Sequence, residues 1–352
     1  MRFFFYSIVL ILMFPACQRA DSTPQADKLP TKNIAITPNF SIILLDSLAA
    51  TQAIIQDNTE DFFTKISTLD MSIQMKKNHP AETDREQIVA DYKKYLQSDV
   101  TYFTKTETDF VQRAFLLAVN RIKVLNINFL PKDIFLIKTT TRHYGKSTYY
   151  TRENGIIIPD NELAKADLEE FTDVMLHEIF HIYSRQHPKN RLELYELIGF
   201  RPIENIVFPI ALQQRILLNP DGINTNFGIS LKSGDSTLTA ISLIVSNSAT
   251  YRADRNAFFE YLAFDLYPLA RKTDGNFLVQ TNGDWQSPIH YSDFPDFYQQ
   301  IGDNTDYIIH PDEILADNFV LLVNDLNGAK RQPRLSEEGR ELLMKLKTVL
   351  EN

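Results

Sequence analysis

Apolar residues recur at helical spacing in the segment DLEEFTDVMLHEIFHIYSRQHP, which runs from Asp167 to Pro188. A repeat of three to four residues is typical of a helix that turns one face towards a core. The core-facing positions of the segment are Leu168, Phe171, Met175, Ile179 and Ile182. Asp167 can cap the start of the helix, and Pro188 ends it. The pattern therefore predicts a buried helix between these two residues.

The hydrophobic pattern changes at Pro131. Before it, apolar residues follow a helical period, and the expected helices lie near 42–54, 62–73, 88–96 and 109–125. After it, β-branched and apolar runs predict the strands Asp133–Thr140, Thr148–Arg152 and Gly155–Ile158. The predicted fold class is α+β, mainly helical, with a small mixed sheet ahead of the helix described above.

The first residues of the chain have the pattern of an export signal. Arg2 supplies one positive charge, and an apolar run over residues 3–14 follows it. The run is too short to span a bilayer and is typical of a signal peptide over residues 1–17. Cys17 stands where the run ends, and this arrangement resembles the lipobox of bacterial lipoproteins. The resemblance implies an exported protein held at a bacterial membrane by a lipid on Cys17. A plain secretory signal is the alternative.

Composition limits the possible partners and chemistry. The 352-residue chain is 44% hydrophobic and 23% charged, which is ordinary for a globular protein with a substantial core. Its formal net charge of −9 argues against nucleic acid or an anionic membrane surface as the main partner. Because the chain contains 1 cysteine, in the signal region, disulfides and cysteine nucleophiles are excluded from the rest.

The expected organisation follows from these patterns. Residues 18–38 are polar, contain three prolines and are expected to form a flexible tether. Residues 39–130 are expected to form an α-helical subdomain, and residues 131–352 a second domain that contains the helix from Asp167 to Pro188. A long insertion at about 189–306 is expected inside that domain.

The predicted helix carries a set of side chains suited to a metal ion. His177, Glu178 and His181 form the pattern H-E-x-x-H. Residues four apart lie on one face of a helix, so both imidazoles can reach one ion. The carboxylate of Glu178 then lies beside a water in the open position of the metal. A pair of helical histidines with ordinary hydrogen bonds is the competing interpretation.

This segment resembles the active-site helix of the zincin metallopeptidases. The resemblance implies a zinc ion bound by His177 and His181, with Glu178 as the general base. It also implies that residues 131–352 form a zincin-like catalytic domain. In that fold the strand before the helix is a sheet edge that can hold an extended peptide. Gly155–Ile158 is the expected edge, with an internal core strand as the alternative.

Two residues compete for the third metal ligand. His187 stands where the pattern HExxHxxGxxH of the metzincins has its last histidine, but Ser184 occupies the glycine position. Glu313 begins a second predicted helix, Asp312–Leu322, and Asp317 lies four residues later on the same face. This Glu-x-x-Ala-Asp pattern resembles the second zinc-binding helix of the gluzincins.

The gluzincin resemblance favours Glu313 over His187 as the ligand. It implies that Asp317 supports a metal-bound histidine from behind. The expected function is that of a zinc-dependent metallopeptidase, which hydrolyses peptide bonds with a metal-activated water and Glu178 as base. His310, Tyr307 and His290 are candidate donors to the oxyanion. A non-peptidase zinc hydrolase, and a metal-binding lipoprotein with a binding or assembly role, are the alternatives.

The lipid anchor is tested by Cys17→Ser. Removing the thiol removes the acylation site, so the variant should move from the detergent-soluble membrane fraction to the soluble fraction. Fractionation followed by immunoblotting measures this, with the conservative signal variant Arg2→Lys as control. A wild-type protein that is already soluble after export would contradict the lipoprotein interpretation.

Overall fold

The computed structural model describes residues 30–125, 130–255, 257–328 and 335–351. Within these ranges the strands are β1 (Lys32–Thr37), β2 (Phe40–Leu44), β3 (Asp133–Thr139), β4 (Tyr150–Arg152), β5 (Gly155–Pro159), β6 (Phe200–Pro202), β7 (Ile206–Val207), β8 (Phe227–Ser233), β9 (Ser236–Ser246), β10 (Leu262–Arg271) and β11 (Phe277–Val279). The α-helices are α1 (Ser47–Ala53), α2 (Phe62–Lys65), α3 (Thr68–Met75), α4 (Arg85–Ser98), α5 (Lys105–Ile122), α6 (Asp160–Leu163), α7 (Leu168–Gln186), α8 (Pro188–Leu197), α9 (Ile210–Gln213), α10 (Pro295–Ile301), α11 (Pro311–Leu326) and α12 (Glu337–Glu351). The fold is α+β, which confirms the predicted class.

The first sheet has five strands in the order β1-β2-β3-β5-β4. β2, β3 and β5 run parallel, whereas β1 and β4 pair antiparallel at the two ends. The expectation that Gly155–Ile158 forms the sheet edge is wrong, because β5 lies between β3 and β4. The all-apolar sequence of β5 suits a strand with neighbours on both sides. The edge beside the helix α7 is the short strand β4.

Two sequence expectations near the start of the described chain are also wrong. The helix expected near 42–54 begins only at Ser47, because Phe40–Leu44 forms β2 and pairs with β3. The tether expected over 18–38 ends earlier, because Lys32–Thr37 form β1. Alternating burial along β2 explains the first error: a run of apolar residues fits a strand as well as a helix. Asp46 separates the two elements by capping α1.

Residues on the two faces of the first sheet belong to two different cores. Side chains alternate across a strand, so neighbouring residues point to opposite faces. One face joins the core of α5, α7 and α11, and the other joins the core of α1, α3 and α4. The residues on the first face are Ile134, Leu136, Ile156 and Ile158; those on the second are Ile137 and Ile157. The sheet thus lies between α7 on one side and the helices α1, α3 and α4 on the other.

The second sheet has six strands in the order β6-β8-β9-β10-β11-β7. It occupies the section in which a long insertion was expected, and the antiparallel strands β8, β9 and β10 form its centre. The segment between α9 and β8 leaves this sheet and runs back towards α7 and α11. That segment reaches the site described below.

None of the described helices combines the length and the hydrophobicity that a membrane crossing requires. The expected signal peptide, Cys17 and most of the expected tether lie outside the described residues.

The buried side chain of Asp70 makes the stability of the protein depend on pH, and this dependence tests the packing described above. Asp70 is buried on α3, where Oδ1 accepts from Nε2 of Gln74 (2.8 Å) and Oδ2 from the backbone N–H of Leu218 (2.9 Å). Burial raises the pKa of Asp70 from 3.8 to about 6, and the two hydrogen bonds oppose this shift. Since the folded pKa is above the unfolded one, stability from this group is fully present below pH ~4 and is lost as the pH rises through ~6.

Asp70→Asn removes this titration and keeps an acceptor for Leu218. Between pH 4 and pH 7.5, wild type should lose up to about 3 kcal/mol of its free energy of unfolding through the titration of Asp70. The variant should not show this loss. Urea unfolding at both pH values measures this, with Asp235→Asn on the exposed β8–β9 turn as control. A difference between variant and wild type that does not change with pH would contradict the shifted pKa of Asp70.

Candidate metal centre

The helix α7 carries both histidines of the H-E-x-x-H pattern: His181 is buried, and His177 is half-buried in the wall of a cleft. Asp167 caps its start by accepting from the backbone N–H groups of Glu169 (2.9 Å) and Glu170 (3.3 Å). The predicted apolar stripe packs into the core that α7 shares with α5 and α11, and Leu176 and Phe180 widen the buried surface. Because most of its faces are covered, α7 is fixed in position, and so are the side chains that it presents to the cleft.

The helix α11 lies against α7 and brings the glutamate. The ring of Phe319 on α11 packs on Phe180 of α7, with centroids 5.5 Å apart. Pro311 is the first residue of α11, and His310 caps it by accepting from the backbone N–H of Asp312 (3.1 Å). Glu313 therefore lies in the first turn, where the helix dipole favours an anion.

Three donor atoms converge between the two helices. Oε2 of Glu313 lies 3.0 Å from Nε2 of His177 and 3.4 Å from Nε2 of His181. One donor atom from each of these residues lies within 4.8 Å of the other two. Three ligands of one metal ion also lie within such a distance of each other. His177, His181 and Glu313 therefore form a possible metal-binding triad, as the sequence predicted.

A carboxylate holds each imidazole by its other nitrogen. Asp317 Oδ1 lies 2.9 Å from Nδ1 of His177, and Asp312 Oδ2 lies 2.7 Å from Nδ1 of His181. A neutral imidazole that donates its Nδ1 proton to a carboxylate turns the lone pair of Nε2 outward, which is the form that binds a metal. Asp317 has the position that the sequence predicted for it, and the role of Asp312 was not predicted.

The supporting groups are themselves held in place. Asp312 accepts at Oδ1 from the hydroxyls of Ser184 (2.5 Å) and Tyr195 (3.0 Å). Asn219 donates from Nδ2 to Oε1 of Glu313 (2.6 Å), which leaves Oε2 facing the histidines. The carboxylates of Asp312 and Glu313 are thus oriented by hydrogen bonds from α7, α8 and the segment before β8.

The charges of the cluster fit a divalent cation. Asp312 and Glu313 are both 1% exposed, and with neutral imidazoles the three carboxylates of Asp312, Glu313 and Asp317 have no countercharge in the triad. Buried charges are stable only when they are paired. Buried Nε2 of His181 has a long contact, 3.4 Å, with Oε2 of Glu313 and makes no closer hydrogen bond among the described residues. A bound cation would supply the missing charge and a close partner for this nitrogen.

The pKa values express the same excess of negative charge. Burial lowers the pKa of His177, but hydrogen bonds to Asp317 and Glu313 outweigh it and raise the pKa to about 10. Burial, followed by the charge of Asp221, raises the pKa of Glu178 to about 8. The cluster therefore favours positive charge, and a metal ion would compete with protons for it.

Glu178 faces the cleft beside the triad. Its side chain is buried, and Oε2 has no hydrogen-bond partner among the described residues. The cleft has a volume of about 400 Å³. Its lining consists of Ser147, Thr148, Tyr149, Asp173, Val174, His177, Glu178, Asp221, Phe259, Tyr307, Glu313, Asp317 and Val320.

The turn Asn219–Gly222 closes the inner side of the cleft, although its sequence indicated only a turn. Oδ1 of Asp221 accepts from the backbone N–H of Thr151 (2.6 Å) and from its hydroxyl (2.5 Å). Gly222 is required because a Cβ there would lie 2.0 Å from Cε1 of His310. The turn thus connects the edge strand β4 to the start of α11. A polar run, Asn-Pro-Asp-Gly, between apolar segments was the only sequence signal of this role.

His187 lies away from the triad. It follows the last residue of α7, its Nδ1 is 2.9 Å from the carbonyl oxygen of Tyr183, and its ring stacks on that of Tyr183. Of the three candidate oxyanion donors, Tyr307 lines the cleft, with its ring stacked 6.2 Å from that of His177. His310 caps α11, and His290 begins a short 3-10 helix at Tyr291–Asp293.

Comparisons with protein-family models, with curated proteins and with solved structures found no match for this chain. The chemistry of the site therefore rests on its own geometry.

Metal content of three variants tests the triad. Glu313→Ala should lose most of the Zn²⁺ retained by wild type, because the site loses a ligand and its compensating charge. Asp317→Ala should bind roughly 10–100-fold more weakly, because the aspartate acts through the orientation of His177. His187→Ala is the matched control and should bind like wild type.

Metal analysis after Zn²⁺ loading and desalting, together with competition against a chelator, gives both content and affinity. If the His187 variant lost zinc and the Glu313 variant retained it, His187 and not Glu313 would be the third ligand. Equal retention in both would exclude each of them as the ligand.

Proposed function

We propose that the protein is a zinc-dependent metallopeptidase of the gluzincin type. The observation that carries the proposal is the convergence of His177 and His181 with Glu313, which comes from a helix 132 residues (313 − 181) further along the chain. The chain contains 45 aspartates and glutamates, and the carboxylate that lies beside the two histidines is the glutamate of the Glu-x-x-Ala-Asp pattern. The buried, unpartnered carboxylate oxygen of Glu178 beside the triad supports hydrolysis over a purely structural metal site.

In this proposal each residue has a defined task. Zinc, when bound, supplies a Lewis acid that polarises the scissile carbonyl group and lowers the pKa of a water molecule. Glu178 accepts the proton of the attacking water at Oε2 and passes it to the leaving nitrogen. Asp312 and Asp317 keep Nε2 of both histidines directed into the site. Two histidines and one glutamate with one open position are a donor set typical of catalytic zinc.

Tyr307 is the donor that we assign to the oxyanion. Its ring lies beside His177 at the cleft wall. The charge of Glu313 raises the pKa of Tyr307 well above its ordinary value, so the hydroxyl stays protonated and can donate. A preorganised donor at the developing charge is among the largest contributions to catalysis.

The cleft also suits an extended peptide. Ser147, Thr148 and Tyr149 line it and precede the edge strand β4. A main chain laid beside this segment could continue the sheet by backbone hydrogen bonds. We further propose that the enzyme is exported and held at a bacterial membrane by lipidated Cys17, so its substrates are peptides or proteins outside the cytoplasm.

The base is tested by Glu178→Gln. The amide keeps the shape of the side chain and all three ligands but cannot accept the proton, so turnover should fall by roughly 100-fold or more while zinc is retained. Cleavage of a mixed peptide pool, followed by mass spectrometry, and metal analysis are the measurements. Glu170→Gln, an exposed position on the same helix, is the matched control. Similar turnover in the zinc-containing Glu178→Gln variant would show that Glu178 is not the base.

A further inference from the structure

A small apolar pocket opens from the inner side of the cleft. It has a volume of about 50 Å³ and shares Thr148, Tyr149, Asp221, Phe259 and Tyr307 with the cleft. Its deeper wall is apolar and comes from the second sheet and the segments beside it: Tyr144, Leu217, Leu218, Ile244, Phe258 and Leu262. A water-sized group needs roughly 10–15 Å³ of such space, so the pocket takes about four heavy atoms. This is the size of a leucine, isoleucine or valine side chain.

A carboxylate stands where the pocket meets the cleft. Asp221 is 6% exposed and lines both spaces. Its Oδ1 takes both hydrogen bonds from Thr151, and no described residue donates a hydrogen bond to Oδ2. A carboxylate oxygen that lines the cleft without a donor from the protein can accept a hydrogen bond from a ligand with a positively charged N–H group.

The negative charge of the cleft disfavours binding of a peptide by its C-terminal carboxylate. Among the described residues its lining contains five acidic side chains and no lysine or arginine: Asp173, Glu178, Asp221, Glu313 and Asp317. Arg121 compensates Asp173 at 2.9 Å, and the triad accounts for Glu313 and Asp317. Arg185 lies outside the lining; its charge acts on Asp221, but it is itself paired with Glu60 at 2.7 Å. A site for a C-terminal carboxylate needs a cationic partner, which this lining does not offer. An α-ammonium group is the complementary charge.

We propose that the enzyme is an aminopeptidase that removes an N-terminal leucine, isoleucine or valine. The α-carbon of such a residue bears an ammonium group, a side chain and a carbonyl group. The corresponding receptors, Asp221, the apolar pocket and the metal triad, adjoin one another at the inner end of the cleft. This inference rests on the proposed function and narrows it to one substrate class. Glu178 is the base for the first peptide bond, and the products are the free amino acid and the shortened peptide.

The substrate test compares peptides that differ in one group. The zinc-loaded protein should cleave Leu-Gly-Gly after its first residue, with kcat/KM roughly 10–100-fold higher than for N-acetyl-Leu-Gly-Gly, because acetylation removes the charge that pairs with Asp221. Among N-terminal residues, Leu should exceed Ala by roughly 10–100-fold, because three further carbons are buried. Trp should be cleaved poorly, because its ring system exceeds the pocket.

Two variants assign these preferences to residues. In Asp221→Asn the amide oxygen can still accept from Thr151, but the charge is lost, so KM for Leu-Gly-Gly should rise and the preference for a free amine should disappear. Asp173→Asn, also a carboxylate of the cleft lining, is the matched control and should keep the preference. Ile244→Phe fills the pocket and should favour Ala over Leu; if it does not fold, the Ala, Leu and Trp series on wild type decides the same point.

A binding measurement separates this inference from the proposed function. Calorimetry with leucinamide and N-acetyl-leucinamide reports the ammonium site without any hydrolysis. Peptide cleavage at internal bonds, with equal rates for free and acetylated peptides, would overturn the aminopeptidase inference and leave the metallopeptidase proposal standing. Leucinamide binding that depends on Asp221 in a protein that cleaves no peptide would support the amine site and overturn the peptidase proposal. Absence of both activities would overturn both.

Discussion

The structure depends on the contact between α7 and α11. Each helix alone presents charged and imidazole side chains that would be costly to bury. Together they pair each imidazole with one carboxylate, and Oε2 of Glu313 lies between the two inner nitrogens. Phe180 against Phe319 supplies apolar contact behind this polar layer. The two helices thus stabilise each other only in the arrangement that also forms the metal-binding triad.

The turn Asn219–Gly222 extends this arrangement to the rest of the protein. Asn219 fixes Glu313, Asp221 fixes the edge strand β4, and Asp70 on α3 holds the backbone of Leu218 just before the turn. Each hydrogen bond to a charged group contributes roughly 1.5–3 kcal/mol when both partners are buried. The helix α3, the strand β4 of the first sheet and the helix α11 are therefore connected through residues 218–221. Small movements of the turn would change the metal ligands and the cleft at the same time.

The charge distribution connects this architecture to the proposed chemistry. The triad and its supports concentrate carboxylates in a buried region, where they attract a divalent cation. Beyond the triad, Asp221 leaves negative charge at the inner end of the cleft, next to an apolar wall. The proposed substrate, an amino terminus with an apolar side chain, complements both features. The same carboxylate excess that suits a divalent cation at the triad therefore also favours a cationic ligand in the cleft.

The sequence by itself determined the elements whose signals are local. The period of apolar residues and the Asp167 cap specify α7, and the spacing of His177, Glu178 and His181 places three functional groups on one helix. The pair Glu313 and Asp317 was also readable, because four residues make one helical turn. A short apolar run carries less information, so residues 42–44, which belong to β2, were predicted as helix and β5 as an edge strand.

Only the tertiary structure decided which distant residues meet. Nothing local distinguishes Asp312 from other acidic residues at a helix start, yet its contact with His181 sets the orientation of that ligand. Likewise the Asn-Pro-Asp-Gly run is an ordinary turn until packing against His310 carries Asn219 to Glu313 and Asp221 to Thr151. Hydrogen bonds between buried groups depend on positions fixed by the whole core, and a one-dimensional pattern does not contain those distances.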